Sequence, residues 1–216
     1  MMQNLSQMTK SVVKCYYEIG KESRVTERKY SMMKKAAIFF GTGYEEIEAL
    51  TVVDLLRRVG VEVVCVAVDN ADSVTGRHEI CVKMDAGIDA VDFDSFDILV
   101  CPGGMPGTKK LEACSRLTDN LRKFYGEGKL IAAICAAPSI FGHMGLLEGK
   151  KACIYPGMEA ELTGAEVSYD SVVKSGNIIT SRGMGTAIAF SLAIIAALTD
   201  QKTADELAEK IVYSCA

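Results

Sequence analysis

From Lys34 onward the chain alternates short, almost uninterrupted apolar runs with stretches of helical periodicity, and few folds accept that alternation. AAIFF (36–40), VEVVCVAV (61–68), DILVCPGG (97–104) and KLIAAIC (129–135) have the character of strands buried on both faces of a parallel sheet. Between them, IEALTVVDLLRRVG (47–60) carries Ile47, Leu50, Val53 and Leu56 at helical spacing before a glycine stop, and Ser115 to Gly126 forms a second helical stretch. The fold class is therefore α/β, built of strand–helix–strand units. Residues 69–95 are polar and include EICVKM (79–84), which predicts a small antiparallel addition rather than a crossover helix. Later pieces are a short helix over 137–145, a strand KACIY (151–155), a Val-rich pair within 167–180 and a long helix from about Thr186 to Thr199. Thr203 followed by Glu206 predicts a capping box opening the last helix.

Domain organisation follows from the same boundary. Residues 34–216 suit one domain, and a chain of 216 residues in all can bury a core without staples. Residues 1–33 stand apart: they carry a net +3, the remainder −7, and they read as a loosely attached or helical extension. They lack the apolar core of a signal peptide, and no stretch of the chain has the 18 apolar residues of a membrane span, so a membrane is not an expected partner. A net-acidic body without an aromatic-interleaved basic stripe disfavours nucleic acid as the main partner. The eight cysteines (15, 65, 81, 101, 114, 135, 153 and 215) include no C-x-x-C, and the two histidines are not spaced for zinc. Reduced thiols in a cytoplasmic protein, with no metal, are the expectation.

One cysteine has an unusual setting. IAAICAAP (131–138) ends an apolar strand on Cys135, with only small residues and Pro138 after it. A side chain placed in a sharp strand-to-helix turn is lifted out of the sheet, and small neighbours permit that geometry. Free amides and the positive end of the following helix should lower the thiol pKa. A buried structural cysteine is the competing reading, because burial is the common state of this residue. Cys101 also ends a strand and is the second candidate. The PGG after it offers backbone N–H groups that, with the amide of Ala136, could face an oxyanion. In a parallel sheet GTGYEEIE (41–48), CPGGMPG (101–107) and CAAP (135–138) all leave the same edge, so they should meet.

These stretches, with TSRGMGTAIAF (180–190), occur in an order and at intervals that resemble the DJ-one/ThiJ/PfpI superfamily, protein deglycase (ThiJ-like) branch, over Lys34 to Ala216. The resemblance implies a flavodoxin-like, class I glutamine amidotransferase-like three-layer sandwich with a mostly parallel central sheet. It also implies a homodimer without cofactor. It assigns Cys135 as the reactive cysteine and Glu48 as the carboxyl group bonded to it. Gly103, Gly104 and Ala136 are assigned as the backbone around the sulfur, and Arg58 and Arg77 as arginines at a dimer contact near the site.

A glutamate beside a thiolate should take up a proton, because like charge and burial both raise its pKa. It could then donate to the sulfur and later act as general acid. Two departures bear on the chemistry. Ala136 occupies the position where peptidase-like relatives carry His, which disfavours a Cys-His protease. Tyr155 stands where deglycase relatives carry a His. His143, eight residues beyond Cys135, would lie about 12 Å along a helix and out of reach, while His78 reads as a surface or interface residue. The implied activity is cofactor-independent, glyoxalase- or deglycase-like chemistry on α-oxoaldehydes, a small-molecule carbonyl substrate, or on a glycated protein. The alternative is an oxidative-stress sensor in which Cys135 becomes a sulfinate with little turnover.

Overall fold

The structure is a computed structural model that describes residues 33–214. The extension expected over residues 1–33, Met33 apart, lies outside the described residues, as does Cys215. The first strand, β1 (Lys35–Phe40), leads into α1 (Glu46–Arg58) and back to β2 (Glu62–Ala67), pairing in parallel with β1. A small antiparallel hairpin, β3 (Ser73–Thr75) with β4 (Cys81–Lys83), fills the polar segment as its alternation predicts. The two-residue β5 (Ala86–Gly87) then adds to the free edge of β2.

The main rhythm resumes with β6 (Ile98–Cys101), α2 (Gly107–Ala113), α3 (Ser115–Glu127), β7 (Leu130–Ile134) and α4 (Pro138–His143). Next come β8 (Lys151–Ala152) and β9 (Glu166–Val167), which pair only with each other. The chain continues through β10 (Val172–Ser175), β11 (Ile178–Ser181), α5 (Ala187–Leu198) and α6 (Gln201–Lys210). The central sheet has seven strands in the order β10-β11-β7-β6-β1-β2-β5, parallel throughout except for the edge pair β10–β11. This is the flavodoxin-like α/β sandwich.

Alternation along β1 shows why both faces are covered. Ala36, Ile38 and Phe40 pack with Val52, Leu56, Phe190 and Ile194 from α1 and α5, whereas Ala37 and Phe39 pack with Leu121, Phe124 and Phe141 from α3 and α4. All five of these β1 residues are fully buried. A strand inside three layers has no solvent face to reserve for polar side chains, hence its continuous apolar run.

Two expectations need correction. KACIY is not a five-residue strand: only Lys151 and Ala152 pair, and the chain from Cys153 turns toward the sheet edge, where the Tyr155 N–H donates to the Cys135 carbonyl at 2.9 Å. The last helix starts two residues before Thr203. Asp200 is its cap, accepting from the Thr203 N–H at 2.8 Å and from the Thr203 hydroxyl at 3.0 Å, so the threonine is a capped residue and not the cap.

Candidate active site

The loops leaving the carboxyl ends of β1, β6, β7 and β11 are stitched together by backbone hydrogen bonds. The Glu45 N–H donates to the Gly103 carbonyl at 3.0 Å, and the Cys135 N–H donates to the Ser181 carbonyl at 2.9 Å. Two glycines make the approach close enough. A Cβ on Gly103 would lie 2.7 Å from both the Cys135 Cβ and Glu48 Oε2, and Gly104 has φ 87° with the Tyr44 carbonyl carbon 2.6 Å from where its Cβ would be. A side chain at Gly103 would force the β6 loop away from Cys135 and Glu48, and one at Gly104 would force it away from the β1 loop.

At the centre of this cluster Cys135 holds φ at 63°, a left-handed conformation that few non-glycine residues adopt. Such strain costs on the order of 1–3 kcal/mol and persists only where surrounding contacts enforce it. Here they do: its own N–H and carbonyl are both bonded to other loops, Ala136 and Ala137 behind it are buried, and Pro138 opens α4. Cys135 itself stays partly exposed. Glu48, from the first turn of α1, reaches it from below with only 1% exposure. Its carboxyl hydrogen-bonds Cys135, and Oε2 accepts the Gly103 N–H at 2.9 Å. The amides of Gly104 and Ala136 hydrogen-bond the sulfur, whereas that of Gly103 serves the carboxyl group instead.

The electrostatics differ from the simple expectation of a lowered thiol pKa. Burial raises the Glu48 carboxyl from 4.5 to about 7, against the downward pull of its bonds to Cys135 and Gly103. Burial, the Glu48 charge and the bond to Glu48 push the Cys135 thiol up from 9.0 to about 12, against the downward pull of the Ala136 and Gly104 amides. α4 is too short, at six residues, to reverse that balance with its dipole. Both groups therefore hold their protons more tightly than usual, and the first leaves near neutrality. Above that pH one proton serves two adjacent atoms, and the pair titrates as a unit. Glu48 is then an acceptor placed to take the thiol proton whenever the sulfur attacks.

Comparison with known proteins adds an independent observation: residues 34–197 match the model of the DJ-1/PfpI family. The chain belongs to that family. It is 36% identical to Protein dj-1beta of Drosophila melanogaster over 185 residues, 85% of this chain and 99% of the relative. It is 33% identical to Deglycase PH1704 of Pyrococcus horikoshii over 141 residues, 64% of this chain and 84% of the relative. Among solved structures, Toxoplasma gondii DJ-1, oxidized, superposes with a TM-score of 0.81 at 36% identity, covering 84% of this chain and all of that one.

In this DJ-1/PfpI chain the Cys135–Glu48 pair opens into a cavity of about 730 Å³ whose lining also includes Gly104, Ala136, Tyr155, Arg77 and His78. Met105, Met158 and Met184 supply adaptable apolar wall. Tyr155 is half exposed at the rim. Arg58 is not part of this lining. It ion-pairs with Asp54 at 2.6 Å on the outer face of α1, in a neighbouring groove with Leu50, Ile188 and Ile211. Cys101, the second candidate, is fully buried with its thiol pushed up to about 12 by burial, and it packs in the core.

His143 lies away from the pocket, its two ring nitrogens bonded to Glu112 at 2.5 Å and Glu161 at 2.7 Å. His78 is exposed, in keeping with a surface position, and it also lines the same cavity as Cys135, which the sequence reading did not place it in. The hairpin that carries it folds back over α1, which no short-range pattern reveals. Ligand atoms of Glu45, Glu46 and His78 lie within 4.8 Å of one another, a spacing that a metal ion could use among the described residues. The direct His78–Glu46 hydrogen bond at 3.0 Å already accounts for that proximity. Among the described residues, no helix is long and apolar enough to cross a membrane.

Proposed function

We propose that this chain is a cofactor-independent, cysteine-dependent enzyme of the glyoxalase or deglycase type, acting on reactive α-oxoaldehydes or their glycation adducts. The observation that carries the reading is the strained Cys135 with a buried, near-neutral Glu48 bonded to its sulfur at the floor of an open cavity. A base with pKa close to 7 is matched to proton transfer at neutral pH. The sulfur attacks the aldehyde carbon and forms the C–S bond. Glu48 takes the S–H proton and passes it to the carbonyl oxygen, giving a hemithioacetal. The Gly104 and Ala136 amides, aimed at the sulfur, are within the site to stabilise charge developing beside it. The relative named as a deglycase, at 33% identity, supports this class of chemistry.

The test is lactate formation from methylglyoxal by the purified protein. Cys135→Ser should abolish it and Glu48→Gln should reduce it by about 10²-fold or more, on the order of a general-base contribution. Full activity in Cys135→Ser would end this reading. The oxidation-sensor alternative is supported by the setting of Cys135, partly exposed like Cys114 and less open than Cys81 but alone among the described cysteines in lining the cavity beside Glu48. It predicts that mild peroxide, the oxidant, adds two oxygens to Cys135 selectively while methylglyoxal is left unconverted. A homodimer belongs to the same proposal. Exposed Ile47 and Ile80, with Ile188 and Arg58, line an apolar groove beside the site that a second copy would cover.

A further inference from the structure

The reaction proposed above needs a second proton transfer, at carbon, besides the one between sulfur and oxygen that Glu48 carries. Once the sulfur is bonded to the aldehyde carbon, that carbon's own hydrogen must leave as a proton and return on the neighbouring carbonyl carbon. Glu48 is already engaged, by the Gly103 amide at 2.9 Å and by Cys135. Of the other polar side chains lining the cavity, Tyr155 offers a phenolic hydroxyl and Arg77 a guanidinium, which only donates hydrogen bonds. Glu45 and Glu46 are carboxylates, weak bases by class. His78 is left.

Its setting is that of an oriented base. Glu46 is buried, at 4% exposure, beneath the hairpin that carries His78. Its Oε1 accepts the His78 backbone N–H at 2.7 Å, and its Oε2 lies 3.0 Å from His78 Nδ1. A Cβ on Gly76 would run into the Glu46 carboxylate, so a residue without a side chain is needed where the two elements meet. Burial pushes the Glu46 pKa up, but hydrogen bonds from the His78 ring and from the His78 and Ile80 amides outweigh it, and the carboxyl stays ionised below its usual range. A carboxylate only accepts hydrogen bonds, so Nδ1 must carry the proton between them. In the neutral ring Nε2 is then the basic nitrogen, and no described group occupies it. The result is a buried carboxylate, a ring oriented by it, and an Nε2 with no partner among the described residues on a side chain that lines the cavity.

We infer that His78, oriented by Glu46, is the carbon-acid base of this site, supplied from the hairpin wall of the cavity. The inference rests on the proposed reaction at Cys135. His78 Nε2 takes the proton from the carbon bonded to sulfur, and the released electron pair forms the carbon–carbon double bond of an enediolate. The proton returns to the adjacent carbon while the hydroxyl proton on the sulfur-bearing carbon passes to the former ketone oxygen, leaving a 2-hydroxyacyl thioester. Water cleaves that thioester to the hydroxy acid and restores the Cys135 thiol. The aldehyde carbon is oxidised and the ketone carbon reduced within one molecule, so no external oxidant is consumed.

The experiment compares wild type, His78→Asn and His78→Ala on methylglyoxal and on its aldehyde-deuterated form, with Cys135 alkylation followed in parallel. Asn keeps a donor toward Glu46 but has no counterpart of Nε2. Turnover should fall by about 10²- to 10⁴-fold in both variants, the range for a positioned acid–base group. Cys135 should alkylate at the wild-type rate. The deuterium effect on turnover should increase in His78→Asn, and added imidazole should restore the activity of His78→Ala in proportion to its concentration. Undiminished turnover in His78→Asn overturns the inference while leaving the Cys135 chemistry standing, and so does a loss that imidazole cannot rescue. A wild-type protein that alkylates at Cys135 but forms no lactate overturns both.

Discussion

Replacing Glu48 by Gln should leave the protein more stable than wild type at alkaline pH, and the size of the gain follows from the burial of the carboxyl group. In the folded protein Glu48 holds its proton up to about 7, against 4.5 for the ordinary side chain. Below 4.5 the acid is neutral in both states and contributes no pH dependence. As pH rises through that window the unfolded chain releases the proton while the folded chain retains it, so ionisation favours unfolding and stability falls until the folded pKa is passed. At about 1.4 kcal/mol per pH unit, the loss amounts to about 3 kcal/mol. Gln cannot ionise, so the variant escapes it. The advantage of Glu48→Gln over wild type should therefore grow by about 3 kcal/mol between about pH 4 and pH 8. Urea unfolding followed by circular dichroism measures this directly: with a slope of about 2 kcal/mol per M, the gap between midpoints should widen by about 1.5 M. Parallel pH profiles, with the gap changing by less than about 0.5 M, would refute the argument that Glu48 is held neutral by burial.

Gly103→Ala tests the closeness of the loops. With Cβ 2.7 Å from the Cys135 Cβ and from Glu48 Oε2, the variant should lose about 1–3 kcal/mol from overpacking and most of its activity; an unchanged melting curve with full turnover would contradict the packing described. His143, held by Glu112 first and then Glu161, should titrate above 6.5 in proton NMR. Its stabilisation is present below about 6.5 and is lost as pH rises through that higher midpoint; titration at or below 6.5 would show that the two bonds do not hold in solution.

Much of this architecture is readable from the chain because buried parallel strands have a distinctive look. β1, β2, β6 and β7 lie where the apolar runs place them, and alternation in EICVKM (79–84) marks the hairpin strand at Cys81–Lys83, though not its partner at Ser73–Thr75. The run over 151–155 looks like a longer strand than it is because Cys153 and Ile154 are buried without being paired in a ladder, which ends at Ala152. Helix α2 leaves no comparable mark: its seven residues, GTKKLEA, carry one buried apolar side chain of size, Leu111, too little to make a periodicity. At the site, Cys135 is legible from the small residues behind it. His78 is not, because its nearness to the cavity depends on a hairpin folding over a helix some thirty residues earlier in the chain. The direction of the thiol shift escapes the sequence for a related reason. A helix start can be recognised there, but the extent to which a sulfur is desolvated depends on the whole set of loops around it.

The central claim is that Cys135 and Glu48 share one proton above neutrality and that Glu48 accepts it when the sulfur reacts. Its most direct measurement is the rate of Cys135 alkylation by iodoacetamide from about pH 5 to pH 10 in wild type and in Glu48→Gln, with the site of modification read by mass spectrometry. The wild-type rate should rise with a midpoint near the Glu48 value of about 7, and that step should vanish in Glu48→Gln, whose thiol, still raised by burial, should react only at strongly alkaline pH. Identical profiles in the two proteins, or a wild-type thiol silent until about pH 9 or beyond, would contradict it.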